Sequence, residues 1–213
     1  MRLPDNWRKA RVTVGIALVT AAAWLLLALL RLDQWAAIGG GFIPARLAYG
    51  GDAGMVPFWL TPLTAALIHL AFVHLAFNLL LLLLCGRTVE AVLGPAGIAI
   101  LYLAGAYVAA GAFYAVDPLA VSPMVGASGA VSAVIGAYAI LFGRNKVKIA
   151  GPRLALWLNA LWLMAACVAL QVMLGVGLAG LDGILVAATG SIAGFLAGLL
   201  LANPLLLFRY RKA

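Results

Sequence analysis

The stretch Gly126-Ala127-Ser128-Gly129-Ala130 lies where a polar loop gives way to the apolar run 130–142. A serine between two glycines at the start of an apolar helix has two interpretations. Small residues let transmembrane helices pack closely, so the stretch could serve packing alone. Alternatively, Ser128 is a nucleophile, because Gly129 leaves space beside the hydroxyl and the first amides of a helix can stabilise an oxyanion.

The composition identifies a multi-pass membrane protein. Of the 213 residues, 66% are hydrophobic and 9% are charged, and the mean hydropathy is +1.14. A soluble domain could not build a polar surface from this composition. The net charge of +8 does not indicate nucleic-acid binding, because Lys and Arg lie at the ends of apolar runs, where they set topology.

The cysteines and histidines predict neither a disulfide framework nor a metal site. Cys85 and Cys167 both lie in apolar runs, where a cysteine usually serves as a small buried hydrophobic residue. The sequence has no CxxC pair and no cluster of His and Cys residues. We therefore expect no metal ion and no other cofactor.

Six apolar runs predict six transmembrane spans, because each approaches or exceeds the thickness of a bilayer. An even number of spans places both termini on one side, and every Lys and Arg except Arg31 and Arg46 falls on that side. Both termini are therefore predicted to be cytoplasmic. The segment 31–60 is too rich in Gly and Pro for a span, and its aromatic residues predict a place at the membrane interface. The six runs are 12–30, 61–86, 96–116, 126–142, 154–175 and 184–208.

Polar residues within the second span point to a site. His74 and Asn78 are four residues apart, so they share one face of a helix. Such residues either form a hydrogen bond between helices or mark a functional site, and the pattern leaves both open. The predicted topology brings both side chains and Ser128 to the outer half of the bilayer.

The last span carries a stripe of small residues that predicts its partner. Gly194 and Gly198 are spaced to pack closely against Gly129 and the alanines that follow it in the fourth span. This contact would bring Ser191 toward the nucleophile stretch, because Ser191 lies one turn before Gly194.

Four segments together resemble the rhomboid family of intramembrane serine proteases. Their order, their spacing and the six-span layout are similar to the minimal bacterial form, over roughly residues 55 to 205. The resemblance implies an all-α, six-helix membrane bundle that forms a single domain over 1–213, with its core at 55–205. It also implies a place in the bacterial inner membrane and, as substrates or clients, the transmembrane helices of other membrane proteins. The segments are His69-Leu-Ala-Phe-Val-His74-Leu-Ala-Phe-Asn78, Gly86-Arg-Thr-Val-Glu90, Gly126-Ala-Ser128-Gly129 and Gly190-Ser-Ile-Ala-Gly194-Phe-Leu-Ala-Gly198.

The resemblance also implies roles for individual residues. Ser128 matches the nucleophile, and its backbone N–H with His74 and Asn78 matches the set that stabilises the oxyanion. Glu90 matches a structural acid at the inner end of the second span. The last span departs from the family pattern, because Ser191 stands where the family has the histidine of the catalytic dyad.

That substitution bears directly on function, because a serine is a weak nucleophile without an adjacent base. A second and milder departure is Ser132, which stands where the family often has an aromatic residue that supports the histidine ring. The remaining histidines of the chain, His69 and His74, both lie in the second span.

Two classes of function therefore remain. In the first, the protein is a rhomboid pseudoprotease that binds transmembrane helices without cutting them. In the second, it is an intramembrane serine endopeptidase, either active with an unorthodox base or inactivated by loss of the histidine. A small transporter or channel is a weaker alternative, because it would require charged residues at mid-membrane.

Overall fold

The computed structural model describes residues 10–50, 55–143 and 151–211, and within these ranges it is helical without a β-strand. A 3₁₀ turn, Phe58–Leu60, precedes α4, and a π-helical turn, Leu82–Gly86, joins α5 to α6. The helices are α1 (Arg11–Leu30), α2 (Asp33–Gly40), α3 (Ala45–Tyr49), α4 (Thr61–Ala65), α5 (Phe72–Leu81), α6 (Arg87–Val116), α7 (Ser128–Phe142) and α8 (Pro152–Tyr210). Half of the basic residues on which the predicted orientation depends lie outside the described residues: Arg2, Arg8, Lys9, Arg144, Lys146, Lys148 and Lys212.

The described helices are those of an integral membrane protein. Three stretches, Arg11–Leu30, Phe72–Val116 and Ala188–Tyr210, are long and apolar enough to cross a bilayer. Two shorter apolar helices cover Ser128–Phe142 and Leu154–Leu170. The large side chains that these helices expose are mostly apolar, as a lipid environment requires.

The predicted second span is not one continuous helix. After α4 the chain leaves helical geometry over 66–71 and resumes it as α5. At the other end, the helix continues through the predicted polar turn as far as Leu93 and breaks at Gly94, whose φ is +77°. Pro95 follows, and because it has no N–H it cannot continue the hydrogen-bond ladder. The gap 87–95 between the second and third predicted runs is therefore helical for most of its length.

Helix α8 has two arms that run in opposite directions along α7. In the first arm, Leu156 approaches Gly143 at the end of α7, and the Sγ of Cys167 lies 3.5 Å from the Oγ of Ser132 near its start. The first arm is thus antiparallel to α7, whereas the glycine contacts of the second arm make it parallel. The chain therefore reverses its direction between Cys167 and Gly190, an interval that includes the gap 176–183 between the fifth and sixth predicted runs.

The second arm of α8 packs on α7 backbone to backbone, which confirms the predicted contact. A β-carbon added to Gly194 would overlap the carbonyl oxygen of Gly129, and one added to Gly198 would overlap that of Ala133. On the other side of α7, a β-carbon on Gly105 of α6 would lie 2.6 Å from the Cβ of Ala133. Three helices therefore meet at distances that only small residues allow.

Glu90 fastens α1 to this bundle. Its side chain is 1% exposed. One carboxylate oxygen accepts the N–H of Val12 at 2.9 Å, and the other accepts the N–H of Thr13 at 2.8 Å and the hydroxyl of Thr13 at 2.6 Å. The first amides of a helix have no partner within it and carry a partial positive charge. A buried acid at this place is therefore well compensated, which agrees with the structural role expected for Glu90.

The π-helical turn lies between Asn78 on α5 and Glu90 on α6, and it brings the two side chains to the same face. These residues are twelve positions apart, which on an ideal α-helix leaves them about 120° apart around the axis. A single π turn absorbs one residue and reduces this angle to about 20°. Both side chains can then face the bundle, and Asn78 is 0% and Glu90 1% exposed.

We expect Gly198→Ala to destabilise the protein by about 1–3 kcal/mol, because the added methyl group would overlap a backbone carbonyl that has no free rotamer. The matched control is Gly111→Ala on α6, where a β-carbon meets nothing within 4 Å and alanine favours the helix. Thermal unfolding in detergent measures both variants. An unchanged melting temperature for Gly198→Ala would contradict the close contact.

We expect deletion of Leu84 to be tolerated, because the π turn can become an α-helical turn without rotating either end of the helix. Leu84 is 48% exposed, and the matched control is deletion of Ile100, which is 43% exposed and lies in a regular part of α6. The control deletion should rotate one face of α6 by about 100° and prevent folding. Monodispersity in detergent and thermal unfolding compare the two deletions. Equal damage by both would contradict the register role of the π turn.

Candidate functional site

The loop that precedes Ser128 is held by backbone hydrogen bonds. Met124 pairs with Phe42 through bonds of 2.9 and 3.1 Å in both directions, and the N–H of Gly126 donates to the carbonyl of Ala65 at 2.8 Å. Gly126 has a φ of +107°, a conformation that a residue with a side chain rarely adopts. The helix then begins at Ser128. Backbone hydrogen bonds therefore hold the turn that presents the serine, and glycine occupies the position whose positive φ would strain any other residue.

Three polar side chains form the wall beside this loop. His69 lies in the non-helical segment before α5, and His74 and Asn78 lie on α5. The two imidazole rings meet edge to face with centroids 5.2 Å apart. The ring of His74 packs directly on Gly126, where an added β-carbon would lie 2.6 Å from its Cε1. The structure thus brings His74 to the loop that carries Ser128, and it places Asn78 behind the two histidines.

His69 is a member of this wall to which the sequence had assigned no role. Its Nε2 accepts the N–H of Ala127 at 3.3 Å, and its side chain is 2% exposed. The available signal was its spacing five residues before His74 in an otherwise apolar stretch. In a continuous helix over 61–86, however, His69 would lie about 140° around the axis from His74 and would face away from the loop.

The amide of Asn78 is engaged within the wall. Its Nδ2 donates to the carbonyl of His74 at 3.0 Å and lies 3.5 Å from the Nε2 of His69. Its Oδ1 is buried and has no hydrogen-bond partner among the described residues. In this conformation Asn78 supports the two histidines, and it would have to turn before its N–H groups could reach an oxyanion beside Ser128.

Ser128 borders a small cavity at the start of α7. The cavity holds about 10 Å³, which is about the room that one water molecule requires. Small side chains from four parts of the fold line it, and Ser128 itself is half-buried. A hydroxyl, the free amides of a helix start and space for one small group therefore meet at this point. The residues around the cavity include Ala66, Ala109, Met124, Gly126, Ser128 and Gly190.

Ser191 follows Gly190, which borders the cavity from the second arm of α8. The carbonyl of the preceding residue, Gly190, is 3.4 Å from the position of a β-carbon on Gly129. Ser191 is 0% exposed, and its hydroxyl has no partner among the described residues. Ser132, one turn after Ser128, is 0% exposed as well, and its Oγ lies near the Sγ of Cys167 on the first arm of α8.

The comparisons with known proteins give one match. A family model described as "Rhomboid domain" matches residues 58–208, which is more than half of the chain. The match contains α4 to α7, most of α8 and all of the polar residues described above. No curated protein matches the chain. The chain belongs to the rhomboid family.

Proposed function

We propose that this rhomboid scaffold binds transmembrane helices of other membrane proteins and cleaves them very slowly or not at all. The family acts on transmembrane substrates within the bilayer. Ser128 is assigned as the nucleophile position, and Ser191 as the position of the missing dyad histidine. The oxyanion set is the N–H of Ser128 with His74 and, after its amide turns, Asn78.

The observation that carries this proposal is the state of Ser191. Its hydroxyl is buried beside the start of α7 without a partner among the described residues. A serine hydroxyl can neither take the proton of Ser128 nor return it to a leaving amine at neutral pH. The His69 imidazole already accepts the N–H of Ala127 through Nε2. The site thus has the parts that hold a reacting carbonyl but lacks a free base opposite them.

An active protease with an unorthodox base is the second candidate. The observation in its favour is the position of His74, whose Nε2 lies 3.2 Å from the position of a β-carbon on Gly126, two residues before Ser128. If His74 acts as the base, His74→Gln will abolish labelling of Ser128 by a fluorophosphonate. If the base is simply absent, the unaltered chain will not be labelled at all.

We also propose that residues 1–213 form a single domain with six spans and a core at 55–205. The protein lies in the inner membrane of a bacterium, with both termini in the cytoplasm. The charge distribution supports this orientation. In a background without Cys85 and Cys167, a cysteine placed at Pro118 should react with a membrane-impermeant maleimide from outside intact cells. A cysteine placed at Arg211 is the control, and it should react only after lysis. The reverse pattern would contradict the orientation.

We expect cleavage of a transmembrane reporter helix by the unaltered chain to be at least about 10²-fold slower than by Ser191→His, because positioned acid–base catalysis contributes about 10²–10⁴-fold. Adding Ser128→Ala to Ser191→His should remove the restored cleavage and the fluorophosphonate labelling. Co-purification of the reporter with all three variants measures binding separately. Rapid, Ser128-dependent cleavage by the unaltered chain would refute the assignment of Ser191.

A further inference from the structure

His69 occupies an unusual place for a residue between two membrane helices. It lies in the short non-helical segment between α4 and α5, is 2% exposed and touches the chain 58 positions further on. The contact is a hydrogen bond of 3.3 Å from the N–H of Ala127 to the Nε2 of the ring. A buried imidazole that receives a backbone amide has a defined protonation state.

Because Nε2 accepts a hydrogen bond, it carries no proton, and the proton of the neutral ring must be on Nδ1. The opposite tautomer would place an N–H of the ring against the N–H of Ala127. The Nδ2 of Asn78 also points toward Nε2, at 3.5 Å. Two donors therefore face this nitrogen, and both require it to be unprotonated.

The bond to His69 is one of two that fix successive amides of the loop. The N–H of Gly126 is bound by Ala65 and that of Ala127 by His69, and the carbonyl of Ala127 then accepts the N–H of Val131 in the first turn of α7. Ala127 is thereby held through both its N–H and its carbonyl. The carbonyl shares a peptide plane with the N–H of Ser128, so its orientation decides where that N–H points.

We propose that His69, in its Nδ1–H tautomer, is a positioning residue that acts through Ala127 to aim the N–H of Ser128 at the reacting carbonyl. It touches neither the hydroxyl of Ser128 nor a substrate. Its effect on reactivity rests on the proposed function, in which Ser128 is the nucleophile. The tautomer and the bond to Ala127 do not rest on it.

The first test measures the tautomer in the unaltered protein. In protein labelled with ¹⁵N-histidine, the NMR spectrum at neutral pH should show a pyridine-type Nε2 and a pyrrole-type Nδ1 for His69. His69→Gln identifies its signals by their loss. A proton on Nε2 would overturn the proposal, whether the ring is the other neutral tautomer or the cation. This test does not depend on the activity of any His69 variant.

The second test separates positioning from packing. Both His69→Gln and His69→Leu replace the ring, but only the glutamine offers an oxygen that can accept the N–H of Ala127. Hydrogen exchange at Ala127 should remain slow in His69→Gln and become fast in His69→Leu. Equal exchange rates at Ala127 in the two variants would overturn the proposal. If His69→Leu does not fold, the test rests on His69→Gln alone, and fast exchange at Ala127 in that folded variant would overturn the proposal.

The third test reads out reactivity in a Ser191→His background. Fluorophosphonate labelling of Ser128 should fall roughly 10- to 100-fold with His69→Leu and recover with His69→Gln, because a misaimed donor stabilises the transition state less. Equal labelling of the two variants would overturn the positioning role. If Ser191→His itself is never labelled, the proposed function fails, whereas the tautomer and the exchange at Ala127 still decide the proposal for His69.

Discussion

The contact between α7 and the second arm of α8 determines the geometry of the whole bundle. At Gly194 and Gly198 the two backbones approach so closely that a methyl group would overlap a carbonyl oxygen. Without water in the surroundings, helices associate through van der Waals contact and polar bonds more than through the hydrophobic effect. The close approach fixes where α7 begins relative to α8. The same contact places Gly190, the residue before Ser191, beside Gly129, the residue after Ser128.

Buried polar atoms are hydrogen-bonded at one end of the bundle, whereas several at the other end lack a partner. At the end marked by Glu90, three donors satisfy one carboxylate. At the end marked by Ser128, the hydroxyl of Ser191, the Oδ1 of Asn78 and the Nδ1 of His69 are buried without a partner among the described residues. Unpaired polar atoms are costly in an apolar interior. The hydroxyl of Tyr102 is the fourth such atom among the described residues. Three unpaired atoms on His69, Asn78 and Ser191 are more typical of a site that is built for a ligand or a reaction than of a region selected for stability alone.

Much of this architecture was predictable from the sequence, because membrane helices have a strong signal in composition. The ends of α1 at Leu30 and of α6 at Val116 agree with the predicted spans, and the pairing of the glycine stripes followed from their spacing. The breaks within helices were not predictable. A π turn changes no residue type, and the non-helical segment around His69 is as apolar as the helices beside it. The contact of His69 with Ala127 was missed for this reason, since it depends on a bend that the residue types of the segment do not reveal.

Within the site, residue types could be predicted but their orientations could not. The spacing of His74 and Asn78 placed both near Ser128, yet the direction of the Asn78 amide depends on which acceptor lies closest, and that acceptor is the backbone carbonyl of His74. The serine at position 191 was visible in the sequence. That its hydroxyl is left without a partner follows only from the three-dimensional arrangement.

The attachment of α1 through Glu90 has a consequence for the way the protein can change over time. Two of the three bonds to the carboxylate come from backbone amides, which every residue except proline supplies. Substitutions at most positions of α1 would therefore leave these two bonds intact. A helix held in this way leaves little trace in its own sequence. The family match begins at residue 58, beyond α1, although α1 is bound to a residue well inside the matched region.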